Sequence, residues 1–270
     1  MLIEEKALQY WIDNFYGYGS WHARFWFIGY EESGGDVPEE VAEKLNYFYN
    51  LQVPNTPTLC NIRDLYSHVA FRVDGPRAVK FSNFNDHRFG SNATLHGAWK
   101  NLISFEYGYQ GEKLPDLLTY QKNSFALPSV PNEALIQLYP LPGHNHAWYY
   151  AWLHLPQFPF LKSRAIYQDH VYPSRMHSIL KHINIYKPEV VLMYGMDNIN
   201  LLKKSVQEFF YSAKFKMVKA IKRQTPQHHR ADFNGTTLLI TTQIPALRHN
   251  RIETGFDWYQ FGKIVKQETK

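Results

Sequence analysis

The chain has 270 residues, 44% of them hydrophobic and 20% charged, with 29 Lys and Arg against 24 Asp and Glu and a net charge of +5. This is the composition of a globular protein long enough for a full core, not of a disordered chain, and its mild positive excess permits nucleic-acid binding without demanding it. No apolar run reaches the roughly 18–20 residues of a membrane span, and the lone Cys60 excludes an internal disulfide, a cysteine zinc site and a four-cysteine iron–sulfur cluster.

Ala7–Phe15 reads as a short helix closed by a Gly17-Tyr-Gly19 turn. The aromatic run Arg24–Tyr30 reads as a buried strand that stops at Gly29 and is followed by two adjacent carboxylates, Glu31 and Glu32. Asp36 and Glu39 are spaced as a helix cap and its reciprocal partner, Pro38 sits in the first turn, and Val41, Leu45 and Phe48 share a face. Residues 51–131 are punctuated by Pro and Gly, with embedded helices such as Leu95–Phe105, and read as an extended insertion. A short strand, Ala134–Tyr139, ends at Pro140-Leu-Pro142-Gly143. Met176, Ile179, Leu180 and Ile183 mark an amphipathic helix stopped before Pro188; Glu189–Tyr194 is a strand ending at Gly195. Asp197 is placed to cap a helix carrying Ile199, Leu202, Val206 and Phe209, and Lys216–Ile221 and Thr236–Thr242 supply two further strands. Strand–helix–strand alternation without a linker predicts one α/β domain over residues 1–270 with a mostly parallel central sheet. The charged N-terminus and the single cysteine predict a cytoplasmic protein without a signal peptide.

Parallel-sheet enzymes carry their working groups just beyond strand carboxyl ends, so Glu31 and Glu32 are candidate catalytic acids; two acids decorating a solvated loop are the bland reading. After the last strand, Leu247 is flanked by Arg248, His249 and Arg251. An apolar residue among cations suits a wedge pushed into a base stack while arginines hold phosphates; an exposed turn is the equal alternative. Aromatic residues make up 16% of the chain, enough for both core and base stacking. His144 and His146 lack an identifiable third metal ligand, His228-His229 reads as a surface turn, and the basic run Lys214–Arg223 reads as a solvated edge strand or a phosphate contact. No metal site is expected.

These strand ends together resemble the uracil-DNA glycosylase superfamily over residues 22–50 and 134–255. Gly29-Tyr30-Glu31-Glu32-Ser33 aligns with the family's water-activating loop, Leu135-Ile136-Gln137 with its base-reading strand end, Lys187–Gly195 with its Lys-Pro strand segment, and Gln243-Ile-Pro-Ala-Leu247 with its His-Pro-Ser-Pro-Leu motif. The resemblance implies a three-layer α/β/α fold and a monofunctional DNA glycosylase that needs no cofactor and takes double-stranded DNA with a flipped base. It implies that Glu31, or Glu32, stabilises the cationic sugar and activates water. Tyr30, Ser33, Gln137 and Gln243 would contact the base, and Leu247 would fill the gap. Gln243 replaces the family histidine, Gln137 the usual asparagine, and Ser33 an aromatic that crowds the pyrimidine 5-position. Those departures point to a bulky 5-modified pyrimidine such as glucosylated hydroxymethylcytosine, and to defence against phage. The alternatives are a catalytically silent nucleic-acid-binding protein, an ordinary uracil or mismatch glycosylase, and a hydrolase of a small nucleoside-like substrate. Oligomeric state is not legible.

Overall fold

The computed structural model describes residues 3–33, 37–51, 54–143, 148–153, 155–245 and 255–268. Helix α1 (Glu5–Asn14) runs into strands β1 (Phe15–Gly19) and β2 (Phe25–Ser33), followed by α2 (Pro38–Asn50) and β3 (Thr58–Cys60). Short helices α3 (Ile62–Ser67), α4 (Pro76–Lys80) and α5 (Phe84–Phe89) precede α6 (Gly97–Gln110), α7 (Leu117–Asn123) and β4 (Glu133–Gly143). Then come α8 (Arg164–Tyr186), β5 (Val190–Met193), α9 (Ile199–Phe209) and β6 (Lys216–Val218). The last elements are β7 (His228–Phe233), β8 (Thr236–Ile240) and α10 (Trp258–Gln267).

Among the described residues, eight strands form one mixed, mostly parallel sheet in the order β3-β1-β4-β2-β5-β8-β7-β6. Its centre, β4-β2-β5-β8, is parallel throughout, while β1, β7 and β6 run antiparallel to their inner neighbours. The centre is parallel because β2 is apolar on both faces. Phe25 and Phe27 meet Tyr109 and Phe105 of α6, and Trp26 meets Tyr186 of α8, so helices cover both sides. All of Phe25–Ile28 is buried, and each such side chain contributes about 1.5–3 kcal/mol on leaving water. No described helix is long and apolar enough to cross a membrane.

Several sequence expectations are corrected. Gly17-Tyr-Gly19 is not a turn but part of β1. Gly17 has φ +134°, and a Cβ there would strike the Leu135 backbone oxygen, so glycine allows two backbones to close together. The cap of α2 is Val37, with no side-chain bond, rather than Asp36, which lies outside the described residues. Likewise Asn198, not Asp197, precedes α9. Strand β4 runs through both prolines to Gly143. Far from a surface turn, His228 is fully buried in β7, stacking obliquely on Phe261. The basic run does flank an exposed edge strand, β6. His144 and His146 fall outside the described residues.

Beneath the sheet's amino-terminal end, two carboxyls are buried together. Glu106 of α6 lies close to Glu133 of β4, and Tyr120 Oη donates to Glu133 Oε1 at 2.6 Å. Gln110 Nε2 donates to Glu106 Oε1 at 2.8 Å. Burial, then the neighbouring Glu133 charge, pushes the Glu106 carboxyl well up; burial also raises Glu133. A raised native pKa means that the folded state holds protons more tightly than the unfolded one. This contribution to stability is therefore complete below the ordinary carboxyl range and is lost as pH rises through the raised values. Melting curves from about pH 5 to about pH 8 should show the wild type losing ground to Glu106→Gln; parallel curves would contradict the raised Glu106 carboxyl.

Candidate active site

Strand β2 leads through α2 to β3 at one edge of the sheet, whereas its neighbour β5 leads through α9 to β6 at the opposite edge. Their connections diverge, which makes their carboxyl ends the position where open α/β sheets bind ligands. Gly29 and Tyr194 meet there. A Cβ on Gly29 would lie 2.8 Å from Tyr194 Oη and 3.3 Å from Gln137 Oε1, so the missing side chain lets a phenol and an amide converge over the backbone. The Gln137 carbonyl is pinned from behind by the buried Arg175 of α8, whose Nη2 donates to it at 2.8 Å. Burial raises the Tyr194 phenol, keeping it a neutral hydroxyl.

Two residues beyond Gly29, Glu31 reaches α8. Gln168 Nε2 donates to Glu31 Oε1 at 2.7 Å, and Arg164 Nη2 stands 3.5 Å from Glu31 Oε2. Arg164 and Gln168 are one helical turn apart and so share a face. Tyr30 Oη donates to Gln168 Oε1 at 3.2 Å, fixing which way that amide points, and the Tyr30 ring packs edge-on against Tyr139 at 4.8 Å. A Cβ on Gly143 would collide with the Glu31 carboxylate and the Arg164 guanidinium, so glycine at the end of β4 makes room for the pair. The Glu31 side chain is only 9% exposed, and burial raises its carboxyl against the opposing pull of Arg164 and Gln168.

Glu32 goes elsewhere. Its Oε1 accepts from Tyr18 Oη at 2.8 Å, Lys44 Nζ at 2.9 Å and Tyr66 Oη at 3.0 Å. Lys44 is wholly buried, with its ammonium 5.2 Å from the Tyr66 ring centre and 5.5 Å from that of Phe84. Burial and the Glu32 charge both raise the Tyr18 and Tyr66 phenols, so both remain donors. Successive strand residues point to opposite sides, and the two acids are divided accordingly. Glu31 is left as the carboxylate near the carboxyl end of β2, facing α8; Glu32 anchors α2 and α3 to the sheet.

Of the other expected base contacts, Gln137 and Tyr30 lie at this end. The Gln243 carbonyl accepts from the Gly195 N–H at 3.0 Å, which ties β8's exit to β5's, but its amide donates to Thr242 Oγ1 at 3.5 Å. Ser33 is in register with Gly143, and its side chain lies outside the described residues, as do Leu247, Arg248, His249 and Arg251. Sequence reading missed Arg164, Gln168, Tyr139 and Tyr194. Only Tyr194 carried a signal, ending a strand one residue before a glycine. No protein-family model, curated protein or solved structure matches the chain.

Proposed function

We propose that this chain is a DNA glycosylase that hydrolyses the N-glycosidic bond of a flipped, 5-modified pyrimidine in double-stranded DNA, glucosylated hydroxymethylcytosine being the leading candidate, as a defence against phage. The observation that carries the reading is the buried, oriented Glu31 near the carboxyl end of β2, two residues beyond Gly29, where the Gln137 amide and the Tyr194 hydroxyl converge. As the bond from sugar to base breaks, positive charge grows on the sugar and the electron pair leaves with the base. A carboxylate fixed by Gln168 opposes that positive charge and takes a proton from the attacking water, whose oxygen bonds to the sugar carbon; that proton passes on through solvent to the departing base, which restores the carboxylate. An amide donates and accepts along one edge, the chemistry needed to read a pyrimidine.

The Arg164–Glu31 pair favours a second reading, a nucleic-acid-binding protein without catalysis, because a carboxylate already facing a cation is partly neutralised. Duplex oligonucleotides bearing uracil, hydroxymethylcytosine or its glucosylated form separate the two. Alkali-dependent strand breaks at the glucosylated base are expected. Retained affinity with every strand intact would favour the silent protein, and breaks at uracil alone an ordinary glycosylase.

A further inference from the structure

Residues 144–163 join β4 to α8, and both ends of that connection close on one carboxylate. A Cβ on Gly143, the last residue of β4, would collide with Glu31, and Arg164, the first residue of α8, is paired with it. From Ala134 to Gln168 the sequence holds no Asp or Glu, but eight aromatic residues together with Lys162 and Arg164. An acid-free, aromatic excursion that leaves from Glu31 and returns to it is placed to touch what Glu31 acts on.

The excursion is anchored. Trp148 Nε1 donates to the Leu161 carbonyl at 2.7 Å, tying its two limbs together, and Tyr150 Oη donates to the Pro142 carbonyl of β4 at 2.9 Å. The Trp148 ring centre lies 5.1 Å from that of Tyr167 in α8 and 5.7 Å from the Arg164 guanidinium. On this base sits a short helical turn, Tyr149–Leu153, whose Trp152 is 70% exposed. The other six of the seven tryptophans are buried or pack against the core. Tyr150, Leu155, Phe158 and Leu161 line an apolar hollow of about 400 Å³ beside the turn, and the one charged side chain in its wall is Lys162. Flat apolar surface with positive charge and no carboxylate complements a polyanion that carries aromatic faces, which is a nucleic-acid strand.

We propose that the turn Tyr149–Leu153 is a second contact surface for DNA, on which Trp152 stacks against an unpaired base neighbouring the one at Glu31 while Lys162 faces the strand's phosphates. Extruding one base leaves its neighbours with uncovered faces, and an indole on a pre-anchored turn covers one at little cost in ordering. The inference rests on the proposed function only for the identity of the ligand as DNA and requires no cleavage.

Fluorescence anisotropy with the full chain tests it on three unmodified DNAs: single-stranded oligothymidylate, a duplex with one bulged thymine, and the same duplex fully paired. Trp152→Ala should weaken binding to the first two about tenfold and to the paired duplex less than about twofold. Trp152→Phe, which keeps a ring, should regain most of the loss, and both variants should melt close to wild type because the position is exposed. Subtracting the emission of Trp152→Phe from that of wild type isolates the Trp152 signal, which the single strand should quench. The proposal is overturned if wild type binds no strand, if Trp152→Ala binds the strand within about twofold of wild type, or if all three DNAs lose affinity equally. The glycosylase reading is scored separately on the glucosylated duplex. Cleavage with strand binding indifferent to Trp152 would discard the stacking surface alone, and Trp152-dependent binding without cleavage the glycosylase alone.

Discussion

Glu31→Gln is expected to lower cleavage of a glucosylated hydroxymethylcytosine duplex by about a thousandfold while leaving DNA affinity within a few-fold of wild type. The size of the effect follows from where the carboxylate sits. Its Oε1 is already oriented by Gln168, so the substitution keeps the shape and that hydrogen bond and removes the charge. Folding should change little, because the Arg164 partner is about one-third exposed and such pairs contribute on the order of 1 kcal/mol or less. The pH profile supplies a separate check. Catalysis needs the anion, and burial raises the Glu31 carboxyl, so activity should fall as pH drops through a value above the usual glutamate range. Full activity of the Gln variant would remove Glu31 from the mechanism. An acid limb at the ordinary glutamate position would contradict its burial.

The second large effect is on stability. Lys44→Met should cost about 3–5 kcal/mol in chemical denaturation, because it strands the Glu32 carboxylate away from water without its cation. Tyr18 and Tyr66 would still donate to Glu32 Oε1, but two neutral donors do not replace an ammonium. Replacing the pair together, Lys44→Met with Glu32→Leu, should recover only part of the loss, since it removes both charges but leaves the buried Tyr18 and Tyr66 hydroxyls without their acceptor. A single substitution costing less than about 1 kcal/mol would contradict the anchoring role of the Lys44–Glu32 contact.

The parallel centre of the sheet was legible because its signal is local. Phe25–Ile28 and Val190–Met193 are continuous apolar runs ending near glycines, and a strand buried on both faces needs nothing else. The antiparallel margins were not. Strand β1 hides behind two glycines that resemble a turn, and they are used for the close approach of β4 across more than a hundred residues. His228 looked polar and therefore exposed, yet its Nδ1 is matched to the Pro226 carbonyl at 2.9 Å and its ring packs on Phe261, although Nε2 is buried without a partner among the described residues. The candidate site divides in the same way. Glu31 stands near the end of β2, which sequence marks, whereas Gln137 lies midway along β4, which runs on through two prolines to Gly143. Arg164 and Gln168 meet Glu31 only because α8 crosses back over β4, and nothing in their own neighbourhood in the chain announces it.

Adjacent acids that serve opposite sides of one strand make β2 intolerant of slippage. A frame shift of a single position between Gly29 and Glu32 would turn the lysine-bound acid outward and drive its neighbour among the tyrosines, exchanging an anchor for a working group. The order of these two residues matters more than their identity, for both are glutamate and only the phase of the pleat tells them apart.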